Sequence, residues 1–214
     1  SIHWYLKMLR DEGSAAERLA HVLGRSRYAA DLLIRAPESV SIFGDPDGLR
    51  PRSQESLAIT LRSAAARKDN PDKAMAAVGA LRRHELLRIV LGDLTGQFAE
   101  DQVGTALADL AGATIEAALE VATRVVGGGA DGLFVDVLVV GMGSLGGREL
   151  GYVSDADVMI VHQPRPGVSD EAADDLRGGR VAHQERGVHL PLLQRLADGV
   201  VVEARRWGGY GNWL

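Results

Sequence analysis

Asp155 and Asp157, two residues apart at the mouth of the apolar run "ADVMIVH", have the residue type and spacing to do chemistry. In an extended chain, residues two apart project to the same side. Carboxylates held side by side repel each other unless a cation lies between them. Mg2+ suits such a pair, because it takes oxygen ligands and keeps positions open for substrate phosphates. Upstream, Gly141-Met142-Gly143-Ser144-Leu145-Gly146 supplies a turn whose backbone N–H groups and Ser144 hydroxyl can meet phosphate oxygens without side-chain obstruction. A carboxylate pair beside a phosphate turn is equipment for metal-assisted nucleotidyl transfer.

The same six residues also spell G-x-G-x-x-G, the outline of a dinucleotide fingerprint. That motif needs a helix of several turns after the glycines, then a strand whose far end carries a ribose-binding acid. Gly146, Gly147 and Gly151 leave little room for such a helix, and the two aspartates stand at the beginning of the second apolar run. Taken singly, a D-x-D at a strand edge is more often solvated charge, and glycines between strands are more often only a turn. Their conjunction, in this order, favours a site.

These groups need a strand–turn–strand unit to position them, and it follows a helical segment. "LFVDVLVV" (133–140) is a β-branched run of the kind found in a strand buried on both faces, and "ADVMIVH" (156–162) is a second strand. Before them, helix follows helix. Ser14 could cap "AAERLAHVL", with Gly24 at its stop, and Ser26 could cap "RYAADLLIRA", which Pro37 ends. Residues 43–53 are dense in turn formers. Helix resumes from Gln54 to about Lys68, and Asn70-Pro71 gives a cap followed by proline at the first helical position. Leu87, Val90, Leu91 and Leu94 share one face. Val103, Leu107, Leu110, Thr114, Ala117, Val121 and Val125 recur at alternating four- and three-residue steps, an apolar seam broken only by Thr114. "ALRRHELLR" reads as a solvated, salt-bridged helix face. Gly127-Gly128-Gly129 closes the helical part. The expected class is α+β, with a helical segment over 1–129 and an α/β segment over 130–214 whose tail from about 164 has no clean period.

A chain of 214 residues can bury a core in one large domain or two small ones. A formal net charge of −5 and an aromatic content of 5% argue against a nucleic-acid partner, which needs a basic face or a stacking platform. The absence of cysteine excludes disulfides and thiolate metal sites and fits a cytoplasmic setting. No apolar run is long enough to span a bilayer, so no membrane partner is expected. The six histidines are scattered, without H-E-x-x-H, and there is no G-x-S-x-G. The chain opens at Ser1 within a helix-like pattern, as a piece of a longer protein would.

At "GMGSLGGRELGYVSDADVMIV" the chain resembles the glutamine synthetase adenylyltransferase (glutamate-ammonia-ligase adenylyltransferase) family, within the DNA polymerase β-like nucleotidyltransferase superfamily. Met142-Gly143-Ser144 followed by Asp155-Ala156-Asp157 is similar to the superfamily pattern. The longer stretch is similar to the family's G-x-G-K-L-G-G-x-E-L-x-Y-x-S-D-x-D. "RSRYAADLLIRAPESV" and "ALRRHELLRIVLGDL" also resemble the segment that precedes this motif, so the likeness covers roughly residues 4–163. The resemblance implies a nucleotidyltransferase mixed β-sheet with flanking helices, incomplete here. It also implies membership of a long, bifunctional enzyme. One module of such an enzyme attaches AMP to a tyrosine of glutamine synthetase, and the other removes it by phosphorolysis; "ELGYVSDAD" looks more like the attaching module.

By the same resemblance, ATP and Mg2+ are the cofactors, and Asp155 and Asp157 are catalytic residues and metal ligands. Gly143 and Ser144 would cradle the triphosphate while the partner's tyrosine attacks the α-phosphorus and expels pyrophosphate. Glutamine synthetase is the implied partner, with a PII-type signalling protein a further candidate. Ser154 is a candidate binding residue, although bracing the turn is its simpler role. Gly146 and Gly147 divide evenly between tight packing and substrate contact, and Glu149 reads as a helix-face charge. The alternatives are the adenylyl-removing module and a non-catalytic interaction fragment that retains a nucleotide-site remnant.

Two departures stand out. Ser144 occupies the place where the family usually has Lys, which keeps a hydrogen-bonding group but loses a positive charge. The family's third carboxylate lies in a stretch resembling D-x-D-x-R-P-x-G, and residues 164–214 contain none. Glu203 in "VVVEARR" is the strand-like acid that could substitute. Without a third ligand, metal affinity and chemistry should both fall.

Overall fold

The computed structural model describes residues 10, 13–44, 49–126 and 135–164. Among the described residues, five α-helices precede a β-hairpin: α1 (Gly13–Arg25), α2 (Arg27–Arg35), α3 (Gln54–Ala66), α4 (Pro71–Leu94) and α5 (Glu100–Val126). A 3-10 helix, Pro37–Gly44, follows α2. The hairpin consists of β1 (Val135–Gly141), the single-turn helix α6 (Gly143–Gly146) and β2 (Val158–Pro164).

Helix boundaries follow local chemistry. Ser26 caps α2 by accepting from the Ala29 N–H at 3.1 Å, and Asn70 caps α4 by accepting from the Lys73 N–H at 3.0 Å. Pro71 supplies a helical φ where its missing donor costs nothing. Ser53 caps α3 in the same manner. The first helix differs from the sequence expectation. Ser14 lies inside α1 (Gly13–Arg25), whereas Gly24 stands one residue before its end, where the stop was expected. Glycine lowers helix propensity without forbidding it.

Helices α3, α4 and α5 pack on one another, with α2 and the 3-10 helix against α4. Their shared core includes Leu57, Leu61, Leu87, Ile89, Leu91, Leu110 and Val121, each almost wholly buried. The α5 seam faces this core as its spacing requires, from Leu107 through Leu110, Thr114 and Ala117 to Val121. Thr114 is tolerated there because its hydroxyl donates to the Leu110 carbonyl at 2.7 Å. Among the described residues, no helix is long and apolar enough to cross a membrane.

The arginine-rich stretch of α4 is salt-bridged, but it is not a solvated face. Glu85 and Arg88 are buried, and Arg88 Nε lies 2.6 Å from Glu85 Oε2. Arg52 reaches the other carboxylate oxygen at 2.7 Å, and Arg88 also donates to the carbonyls of Leu49 and Arg50. The i, i+3 spacing of Glu85 and Arg88 made the pair legible; its burial depends on the 49–52 segment folding over it.

The hairpin bears out the α+β class. Its strands are antiparallel, with Val139 opposite Ile160 and Gly141 opposite Val158. β1 is not buried on both faces: Leu138 is 61% exposed, and Val137, Val139 and Val140 are half-buried. Gly127–Gly129 and the possible elements after 164 lie outside the described residues.

Candidate functional site

The turn between the strands begins at Gly143, whose φ of +49° belongs to the left-handed region that glycine enters without penalty. A second reason for glycine is space. A Cβ at this position would stand 2.8 Å from Asp157 Oδ2, well inside contact distance. The turn and the second aspartate are thus direct neighbours. The Met142 N–H reinforces this by donating to the Asp157 carbonyl at 2.8 Å.

Residues 155–159 alternate in burial. Ala156 is fully buried and Val158 is buried, whereas Asp155, Asp157 and Met159 are exposed. This is the two-residue period of an extended chain with one face on the core. It turns both carboxylates toward the same, solvent-facing side. β2 itself starts at Val158, so the aspartates occupy the extended approach to the strand.

The single-turn helix is held from beneath by Leu145, which is buried and, like Leu150, belongs to the hydrophobic core. Gly146 is needed for packing, since a Cβ there would lie 2.6 Å from the Gly141 carbonyl oxygen. Ser144 is half-buried, and its carbonyl accepts from the Glu149 N–H at 2.9 Å. Glu149 is exposed and lies in the loop after the turn, so it is not a helix-face charge. Ser154 braces the approach to the aspartates: its hydroxyl oxygen accepts from the Gly151 N–H at 3.0 Å.

These features do not suit a dinucleotide. Its βαβ unit needs parallel strands joined by a long helix, whereas β1 and β2 are antiparallel and α6 has four residues. The donor set suits a hard divalent cation instead: exposed carboxylate oxygens beside a backbone stripped of Cβ. Among the described residues, no group of three or more His, Asp or Glu side chains is gathered as a metal cage. Asp155 and Asp157 belong to no such group, and Glu203 lies outside the described residues.

Sequence reasoning missed the links from this hairpin to the helices. The Tyr152 hydroxyl donates to Asp93 Oδ2 at 2.8 Å, and Arg148 Nη2 lies 2.7 Å from Asp109 Oδ1. Both partners are far away in the chain, and no local spacing announces them.

A profile of the glutamate-ammonia ligase adenylyltransferase family matches residues 16–204. The bifunctional glutamine synthetase adenylyltransferase/adenylyl-removing enzyme of Streptomyces coelicolor is 41% identical over 203 residues, covering 88% of this chain and 20% of its own length. The enzyme of the same name from Nocardia farcinica is 47% identical over 178 residues, 79% of this chain and 17% of its own. That from Mycobacterium tuberculosis is 43% identical over 173 residues, with 79% and 17% covered. The family is named for adenylyltransferase activity, a class of nucleotidyl transfer. The chain belongs to the glutamate-ammonia ligase adenylyltransferase family. It spans about a fifth of the length of the curated relatives it matches. The family match also runs past Gln163, where the likeness read from the motifs stops, and continues through residue 204.

Proposed function

We propose that this chain is the nucleotide-handling part of an adenylyl-attaching module that transfers AMP from ATP to a tyrosine hydroxyl of glutamine synthetase. The observation that carries the proposal is the placement of Asp155 and Asp157, exposed on either side of buried Ala156, with Asp157 abutting the glycine turn at Gly143. In the reaction, the tyrosine oxygen forms a bond to the α-phosphorus. The bond from that phosphorus to its bridging oxygen breaks, pyrophosphate leaves with the electron pair, and the phenolic proton is released.

Gly143 and Ser144 would receive the triphosphate, with backbone and hydroxyl close enough to meet its oxygens. Asp155 and Asp157 would hold Mg2+, which when bound neutralises phosphate charge. Catalysis by this chain's own groups is then mainly positioning, and fixed donors aimed at developing charge are its main electrostatic contribution. The sheet would be completed into a mixed nucleotidyltransferase sheet by residues of the longer protein. A PII-type signalling protein would be a regulatory partner, and the setting would be cytoplasmic. The variant "ELGYVSDAD" favours attachment over removal.

The test measures incorporation of labelled AMP from Mg2+–ATP into glutamine synthetase. It compares this chain with a version carrying a full-length family carboxy terminus, each with and without Asp155→Asn. Transfer by the extended version, lost on Asp155→Asn and weak in the short chain, is the expected result. Release of ADP from adenylylated glutamine synthetase and phosphate, with no forward transfer, would assign the removing module. Binding of glutamine synthetase without any nucleotide dependence would favour an interaction fragment.

A further inference from the structure

The segment joining the glycine turn to the aspartates is tied to the helical body at two separate places. On one side, Tyr152 precedes Asp155 by a single turn of chain and donates its hydroxyl to Asp93, at the end of α4, at 2.8 Å. Its ring leans on Tyr28 of α2, with centroids 5.7 Å apart at an interplanar angle of 51°. Burial, and then the Asp93 carboxylate, push the Tyr152 phenol well above its usual range. The group therefore stays protonated and remains a donor throughout the physiological range.

On the other side, Arg148 follows the turn and pairs with Asp109 of α5 at 2.7 Å. The Asp109 side chain is only 9% exposed, and burial raises its carboxyl pKa while Arg148 opposes the rise. Arg148 adopts φ +58°, uncommon for a residue with a side chain. Gly104 of α5 allows the loop this close: a Cβ there would stand 3.1 Å from the Glu149 Cα.

Leu145, Leu150, Ala156 and Val158 also bury apolar surface beneath the motif. Apolar contact is non-directional, however, and sets closeness better than register. The two polar links go to different helices, and both start from within the stretch between Ser144 and Asp155. We infer that Tyr152 and Arg148 are positioning residues that use α4 and α5 as a frame to hold the phosphate turn at a fixed separation from the Asp155/Asp157 carboxylates. This inference rests on the nucleotide-site function proposed above, and neither residue needs to touch the nucleotide.

The test uses the whole chain and three readouts: amide hydrogen exchange, thermal unfolding, and Mn2+–ATP affinity. In Tyr152→Phe and in Arg148→Met, exchange over residues 142–157 should quicken while α3 and the middle of α5 keep their protection. Mn2+–ATP affinity should fall by about three- to tenfold, the range expected for one lost hydrogen bond, with Tm little changed in Tyr152→Phe and lowered in Arg148→Met, which leaves the buried Asp109 carboxylate without its partner. Asp93→Leu should reproduce the Tyr152→Phe effect, and Asp93→Asn should restore it, because an amide oxygen still accepts from the phenol. Unchanged exchange over 142–157 in both variants overturns the inference. So does a fall in Tm without any loss of affinity, or an Asp93→Asn variant as impaired as Asp93→Leu. A wild-type chain that binds no Mn2+–ATP overturns the nucleotide site itself, and the exchange data then still decide whether these links hold the loop.

Discussion

The helical body and the motif hairpin are stabilised in different ways. In the body, α3, α4 and α5 bury long apolar seams, and their ends are closed by local caps such as Ser53 and Asn70. In the hairpin, β1 and β2 pair only with each other among the described residues, Leu138, Met159 and Ile160 remain exposed, and the turn is tied down by a few distant polar contacts. The body can be built from neighbours in sequence. The hairpin acquires its geometry by being held against something already built. Division of labour of this kind leaves the carboxylates in solvent, where a charged substrate can reach them, while their backbone is fixed from behind.

The comparison breaks most severely where a polar group is part of the body's interior. Glu85→Ala should leave buried Arg88 without its carboxylate partner, at a cost of about 3–5 kcal/mol. Chemical denaturation should show this as a large fall in midpoint, whereas removing the exposed Asp155 carboxylate should barely move it. Equal losses at the two sites would mean that the hairpin is as integral to the core as α4 is.

A smaller effect is expected at the caps. Asn70→Ala should cost about 1 kcal/mol, because the Lys73 N–H loses its side-chain acceptor. Thermal unfolding should report it, and exchange should quicken at the start of α4 and leave the hairpin unaffected.

The smallest effect is one of pH. His84 on α4 sits 3.0 Å from Ser39 of the 3-10 helix, and burial holds its pKa below the usual imidazole value. Glu85 and Glu38 oppose that shift, and Arg88 and Arg52 add to it. The folded state therefore binds the proton less readily than the unfolded chain. The stability contributed is present above the unfolded histidine value and is lost as pH falls through it toward the folded one. A modest decline in Tm between about pH 7.5 and 5.5 should flatten in His84→Gln. An unchanged slope in the variant would assign the decline elsewhere.

The sequence made these two regions legible to different degrees. The Asn70-Pro71 start of α4, the Ser26 cap and the α5 seam follow from rules that act within a few residues, and all are present. Ser14 was misleading because it marks a helix start only if the neighbouring turn agrees, and here it lies within α1, whereas Gly24 stands one residue before the end of that helix, as expected. The Asp155/Asp157 spacing and the Gly143 turn were visible because a two-residue period and a φ above zero leave plain marks. The buried state of Glu85 and Arg88 was not visible, since it depends on Leu49 and Arg50 arriving from an earlier segment. The same applies to Tyr152 and Arg148, whose partners Asp93 and Asp109 are brought to them only by the packing of α4 and α5.

The central claim is that the exposed aspartate pair and its glycine turn form one nucleotide site, separable from the stability of the body. Calorimetric titration of Mg2+–ATP into the chain and its Asp157→Asn variant tests this most directly. Metal-dependent binding by the wild type, weakened by about tenfold or more in the variant at an unchanged Tm, is the predicted result. Equal affinity in both proteins, or binding that persists without a divalent cation, would contradict it.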